Sequence, residues 1–144
     1  MRGILSGVGF LLMGGGLAAL FVKDAVVSGN PAVILFQLAA IALMVWSRAT
    51  FGRRSFHATA NPTEGGLVTT GPYRFIRHPI YSSVCLFTWA SVLGHLSSLS
   101  VALALFVTLG AWIRIVTEER MLREQYPEYT AYARTTKRAI PFIY

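Results

Sequence analysis

The sequence predicts an all-α integral membrane protein with about four transmembrane helices, and three observations predict it. The 144 residues are 54% hydrophobic and only 13% charged, whereas a soluble domain carries about a quarter charged residues. The charge deficit is uneven, because long stretches have no charged residue at all. Four spans of ~20 residues consume ~80 of the chain and leave no room for a separate soluble domain, so residues 1–144 read as a single membrane domain. The net charge of +7 sits beside apolar runs and points to a negatively charged membrane face, not to nucleic acid. One cysteine, Cys85, excludes an internal disulfide and a cysteine-only metal site. It lies in an apolar run and reads as a small buried hydrophobe.

The first span, 3–22, is uncharged and long enough to cross a bilayer. Arg2 ahead of it also suits a signal peptide, but no clean small-x-small cleavage site follows, which favours a retained span. Its glycines neither follow a strand nor open a helix after one, so they are no dinucleotide loop. Gly3 and Gly7, four apart, suit a close helix–helix contact, and association of copies through this helix is an expectation. A short polar connection leads to Pro31, which suits a first helical turn. The second span, 31–47, is interrupted only by Gln37, whose amide is expected to face another helix or a cavity.

From 48 to 78 the character changes to a loop with Arg48, Arg53, Arg54, Arg74 and Arg77 against a lone Glu64. Turns are marked by Asn61-Pro62, Gly65-Gly66 and Gly71-Pro72. A loop of this length in a small protein is usually functional. The third span, 79–95, is short, opens on Pro79, and turns back tightly into the fourth, 99–117. The tail 118–144 continues that helix, breaks near Pro127, and ends in a short helix. Tyr126, Tyr129 and Tyr132 recur every three residues there and share roughly one side, which suits interfacial anchoring.

In this four-span arrangement Arg2, the Arg-rich loop and the tail lie on one side. The opposite connections hold only Lys23 and Asp24 as charges. The positive-inside rule then places both termini and the loop in the cytoplasm.

Two elements at that side could carry chemistry. One is Gly71-Pro72-Tyr73-Arg74 followed by Arg77-His78-Pro79-Ile80-Tyr81. His78, before a proline, is biased to an extended conformation. The helix that starts there aims its amides and its positive dipole end at the loop, a place suited to a carboxylate or phosphate. The plainer reading is that His78 caps the helix while Arg74 and Arg77 snorkel to headgroups. The other element is Arg114-Ile115-Val116-Thr117-Glu118-Glu119. Arg114 and Glu118 share a helix face, in the less stabilising order for an i,i+4 pair. They read either as a membrane-edge salt bridge or as a site in which Glu118 binds an amine or hydroxyls and Arg114 an anionic group. His57, His78 and His95 are scattered and form no metal cluster.

The ordered series Gly71-Pro72-Tyr73-Arg74, Arg77-His78-Pro79-x-Tyr81, Arg114-x-x-x-Glu118-Glu119-x-x-Leu122, with Tyr126, Tyr129, Tyr132 and Ile140-Pro141-Phe142, resembles the C-terminal half of the isoprenylcysteine carboxyl methyltransferase family of integral membrane enzymes. Phospholipid N-methyltransferases and small-thiol S-methyltransferases show related patterns. The resemblance covers roughly residues 60–144. It implies S-adenosylmethionine as cofactor, with Gly65, Gly66, Leu67 and Val68 supplying backbone and apolar contacts. It also implies that Tyr73, His78, Pro79, Ile80 and Tyr81 line the pocket and that Glu118 is a polar ligand. Arg114 matches the substrate-side arginine, here the catalytic candidate. The eukaryotic carboxyl methyltransferases differ in carrying a histidine where Gly65 stands and in having extra N-terminal spans.

The implied acceptor is lipophilic or small, bearing a carboxylate, thiol or amine, with membrane lipid as the surrounding partner. Two other classes compete: a nicotinamide-dependent reductase, because sterol reductases share related C-terminal motifs, and a non-catalytic membrane scaffold. S-adenosylmethionine binding without NADPH binding separates the first two.

Overall fold

The computed structural model describes residues 2–52 and 66–140. Four long helices form the body: α1 (Arg2–Val22), α2 (Pro31–Phe51), α3 (Pro79–Gly94) and α4 (Ser98–Gln125). A 3-10 turn at Gly71–Arg74 precedes α3, and a short α5 (Tyr129–Thr135) follows α4. Gly3–Val22, Pro31–Phe51 and Ser98–Gln125 are long and apolar enough to cross a membrane, while α3 is apolar but shorter. The chain is therefore an all-α membrane protein, as the charge deficit predicts.

The helix starts follow from local chemistry. The Asn30 Oδ1 accepts the Ala32 amide at 2.9 Å just before Pro31, capping α2 where a proline costs no hydrogen bond. Ser97 and Ser100 cap α4 reciprocally, at 3.0 and 3.1 Å. The turn between α3 and α4 thus shrinks to residues 95–97. α2 runs one turn beyond the expected boundary and carries Arg48 on its last turn, so Arg48 belongs to a helix and not to the loop.

The neighbours are α2 against α3, α3 against α4, and α4 against α1. The α1–α4 pair is antiparallel and tight. Ser6, Gly9, Gly16 and Leu20 are the buried positions of α1, with Met13 half-buried between them. Their alternating spacing of three and four is the seam of two packed helices. A Cβ on Gly110 would lie 2.6 Å from the Gly9 carbonyl oxygen, and one on Gly9 would lie 2.8 Å from the Gly110 carbonyl oxygen. These glycines let the backbones touch. Gly3 and Gly7 make no such contact within the chain, where a Cβ at either would meet nothing within 4 Å.

Gln37 donates to the Val26 carbonyl at 2.8 Å and to the Ser91 hydroxyl at 3.0 Å. Its amide thus ties α2 to α3 and to the preceding connection, as its isolation in an apolar run predicts. Large apolar side chains such as Leu11, Leu35, Leu38, Val45 and Leu105 face outward, the surface a bilayer would cover. α4 is 28 residues long, about 42 Å of helix against about 30 Å of hydrocarbon. α4 is thus longer than the hydrocarbon is thick, and its last turns lie at the end where α1 and α3 begin.

Candidate active site

Residues from α1, α3 and α4 meet at that end. Arg114, at 4% exposure, donates from Nε to the Tyr81 hydroxyl at 2.8 Å and from Nη1 to the Ser6 carbonyl at 3.3 Å. Its Nη2 lies 3.5 Å from Glu118 Oε1. The guanidinium stands over the rings of Phe10 (5.5 Å) and Tyr81 (5.6 Å). Tyr81 in turn donates its hydroxyl to Glu118 Oε1. The Glu118 carboxylate stays 24% exposed, so it is held by Tyr81 and Arg114 on one side and open on the other.

His78 is buried at the first turn of α3. Its side chain makes no helix-capping bond, with φ at −126° and ψ at 55°. The φ fits a residue before proline, while ψ falls short of the extended range. The imidazole instead stands between adjacent carboxylates: Nδ1 is 3.7 Å from Glu118 Oε2 and Nε2 is 3.4 Å from Glu119 Oε1. Nε2 thus faces the buried Glu119 carboxylate, whereas the Tyr73 and Tyr129 hydroxyls are buried without a hydrogen-bond partner among the described residues. Buried hydroxyls are rarely left so.

A second charge cluster surrounds Glu119, which is 3% exposed. Arg77 donates Nε and Nη2 to Glu119 Oε1 at 2.9 and 2.6 Å. Arg138 donates Nε to Oε2 at 3.0 Å, and Arg123 is 3.8 Å away. Arg77 also donates Nη1 to the carbonyls of Ala133, at 3.0 Å, and Thr136, which caps the end of α5. Arg77 therefore does not snorkel to headgroups. It is a buried crosslink between the approach to α3, α4 and the tail.

The tail tyrosines also depart from anchoring. Tyr129 is fully buried and packs edge-on against Tyr132, under Arg123. Tyr132 donates its hydroxyl to the Tyr73 carbonyl. Burial raises the pKa of Tyr73 and Tyr129 well above the ordinary tyrosine range, reinforced by Glu118 and Glu119 respectively. Burial pushes Tyr132 up to about 12, against the opposing pull of Arg77. All three remain neutral phenols, able to donate, near neutral pH.

Of the residues expected in a site, the structure brings together His78, Tyr81, Arg114 and Glu118. Tyr73 is buried in the 3-10 turn with its ring 5.6 Å from that of Phe51, and its hydroxyl makes no hydrogen bond to any of the four. Pro79 and Ile80 form the turn that follows His78. Gly66, Leu67 and Val68 run as irregular backbone toward the 3-10 turn, with Leu67 and Val68 half-buried, and give this polar group no side-chain donor. Gly65 lies outside the described residues, as do His57 and Pro141-Phe142. Gly71 turns at φ +57°, where a Cβ would come 2.5 Å from Thr50 Oγ1, so a glycine lets the loop close on α2. Sequence reasoning missed Arg138, Ser6 and Phe10, and it missed the burial of Arg77 against Glu119. The one available signal was the shortage of carboxylates on this side, which forces several arginines to share each. No group of three or more His, Cys, Asp or Glu able to hold a metal occurs among the described residues.

The structure thus gathers adjacent carboxylates, arginine, histidine and tyrosine at one end of an apolar helix bundle, and this cluster is the candidate site. The profile of the phospholipid methyltransferase family matches residues 31–129, and the chain belongs to that family. It is similar to the nickel-cobalt-cadmium resistance protein NccN of Alcaligenes xylosoxydans xylosoxydans, 40% identical over 78 residues, covering 52% of this chain and 36% of that protein. It is also similar to the cobalt-zinc-cadmium resistance protein CzcN of Cupriavidus metallidurans, 42% identical over 80 residues, covering 52% of this chain and 35% of that protein. The chain thus spans about a third of the length of these relatives. No solved structure matches it.

Proposed function

We propose that the protein transfers a methyl group from S-adenosylmethionine to a lipophilic or small acceptor bearing a carboxylate, thiol or amine. The observation that carries this reading is the partly exposed Glu118, fixed by Tyr81 and Arg114, together with the buried Tyr73 hydroxyl that has no hydrogen-bond partner among the described residues. Those groups suit the cofactor: a carboxylate for an ammonium or ribose hydroxyls, aromatic rings beside a sulfonium, and a buried hydroxyl awaiting a partner. When bound, S-adenosylmethionine supplies an electrophilic methyl on a positive sulfur. Glu118, Tyr73 and His78 hold and orient it, while Arg114 draws an anionic acceptor group into line. Little acid–base machinery is needed if the acceptor is already a carboxylate or thiolate, so orientation and water exclusion supply most of the rate.

The test is calorimetric titration of the purified chain with S-adenosylmethionine and with NADPH, beside methylation assays on a prenyl-cysteine, a small thiol and phosphatidylethanolamine. Binding of S-adenosylmethionine alone, with one methylated product, supports the reading. Binding of NADPH in its place replaces it with a reductase. The relatives' names favour a second reading, a part in metal resistance. Unchanged tolerance to cobalt and cadmium on deletion of the gene removes that reading.

A further inference from the structure

We propose that Glu119 is a positioning residue, fastening the returning tail across the start of α3 and thereby setting the place of His78 and Tyr73. The inference rests on the reading of this pocket as the S-adenosylmethionine site. Glu118 and Glu119 are neighbours on α4, but only Glu118 opens toward the pocket. Glu119 is buried among Arg77, Arg138 and Arg123.

What those arginines hold decides the role. The Arg77 and His78 amides donate to the Lys137 and Arg138 carbonyls at 2.8 and 2.9 Å, and Ser82 Oγ donates to the Ala139 carbonyl at 2.7 Å. The tail from 136 to 139 is thereby laid along the approach to α3 and its first turn. α5, which brings the tail there, has seven residues, too few to be stable alone. Its last carbonyls are capped by Arg77, and its Tyr132 holds the Tyr73 carbonyl. Tyr73 and His78 are therefore gripped on one side by elements whose common attachment is the Glu119 carboxylate. Residues 136–139 lie beyond the stretch matched by the family profile, so the packing and not the profile reveals the clamp.

The experiment compares the full chain with Glu119→Gln, Glu119→Asp and Arg138→Gln, each purified in nanodiscs. Two quantities are read: hydrogen exchange in peptides spanning 75–82 and 129–140, and the dissociation constant for S-adenosylmethionine. Glu119→Gln is expected to speed exchange in both peptides and to weaken binding by about tenfold or more, as loss of charge-assisted hydrogen bonds implies. Glu119→Asp, which keeps the charge, should retain affinity within about threefold of the parent. Arg138→Gln removes one partner on a partly exposed side chain and should show the same two changes in smaller measure. It carries the test if Glu119→Gln does not fold.

Unchanged exchange or affinity in the neutral variants overturns the positioning role, as does an Asp variant as impaired as the Gln variant. Failure of the parent chain to bind S-adenosylmethionine overturns the functional reading, and the positioning role with it. Normal parent binding with unchanged variants overturns the positioning role alone.

Discussion

A helix turns about 100° per residue, so adjacent side chains face different surroundings, and Glu118 and Glu119 show the consequence. Glu119 is saturated by arginines, while Glu118 keeps an open edge. Glu118→Ala should weaken S-adenosylmethionine binding by about 1.5–3 kcal/mol, the value of a charged hydrogen bond. Glu124→Ala, at an exposed position on the same helix, should leave it unchanged. Equal affinities in calorimetry would remove Glu118 from the cofactor site. Arg114 presents its planar fork to Tyr81, Ser6 and Glu118 at once. Arg114→Lys keeps the charge and loses the fork. Turnover is expected to fall ~10-fold or more, about 1.4 kcal/mol at the transition state, with cofactor affinity nearly intact. Loss of affinity in step with turnover would assign Arg114 to the cofactor or the fold, and no change in either would leave it a structural anchor. Helical spacing made the shared face of Arg114 and Glu118 legible in the sequence, whereas their meeting with His78 and Tyr81 on another helix was implied by the family resemblance alone. The burial of Arg77 was not legible, since an arginine before an apolar helix has the same pattern whether it reaches lipid or a buried carboxylate.

Among the elements, the apolar runs specified the spans directly, because a bilayer demands ~20 uncharged residues from each helix. The pairing of those spans was less legible. The chain has 13 glycines, and nothing local distinguishes Gly9 and Gly110, where backbones touch, from Gly3 and Gly7, where nothing does. Only the partner's shape separates them. Gly110→Ala must push α4 away from the Gly9 carbonyl, and overpacking of this kind costs about 1–3 kcal/mol. It should lower the thermal midpoint in detergent, and Gly7→Ala should not. Because Arg114 lies one turn beyond Gly110, Gly110→Ala should also reduce turnover. Equal midpoints for the two variants would show that the α1–α4 seam does not hold the bundle. The tail teaches the converse lesson. Its helix and its break near Pro127 were readable, but the spacing of its tyrosines fits a lipid interface and a folded-back contact equally well. Burial of Tyr129 decides between them.

At the scale of the molecule, the antiparallel packing brings Ser6, Tyr81 and Arg114 together, so the starts of α1 and α3 and the last turns of α4 share one end of the bundle. The tail lies there too, through its bonds to Arg77 and His78. The connections at the other end, 23–30 and 95–97, carry Lys23 as their one lysine or arginine out of 13 in the chain. Lysine and arginine in short flanking segments set orientation, so the site end is expected to face the cytoplasm, where a soluble cofactor is made and a methyl acceptor can arrive through the leaflet. Cysteine accessibility in intact cells tests this in a Cys85→Ser background. Lys23→Cys and Lys137→Cys replace exposed residues at opposite ends. A membrane-impermeant maleimide should label position 23 in intact cells and position 137 only after the membrane is opened. The reverse pattern would invert the protein and put the pocket on the wrong side of its proposed cofactor. Labelling of both positions from one side would mean that the helices do not alternate across the bilayer at all.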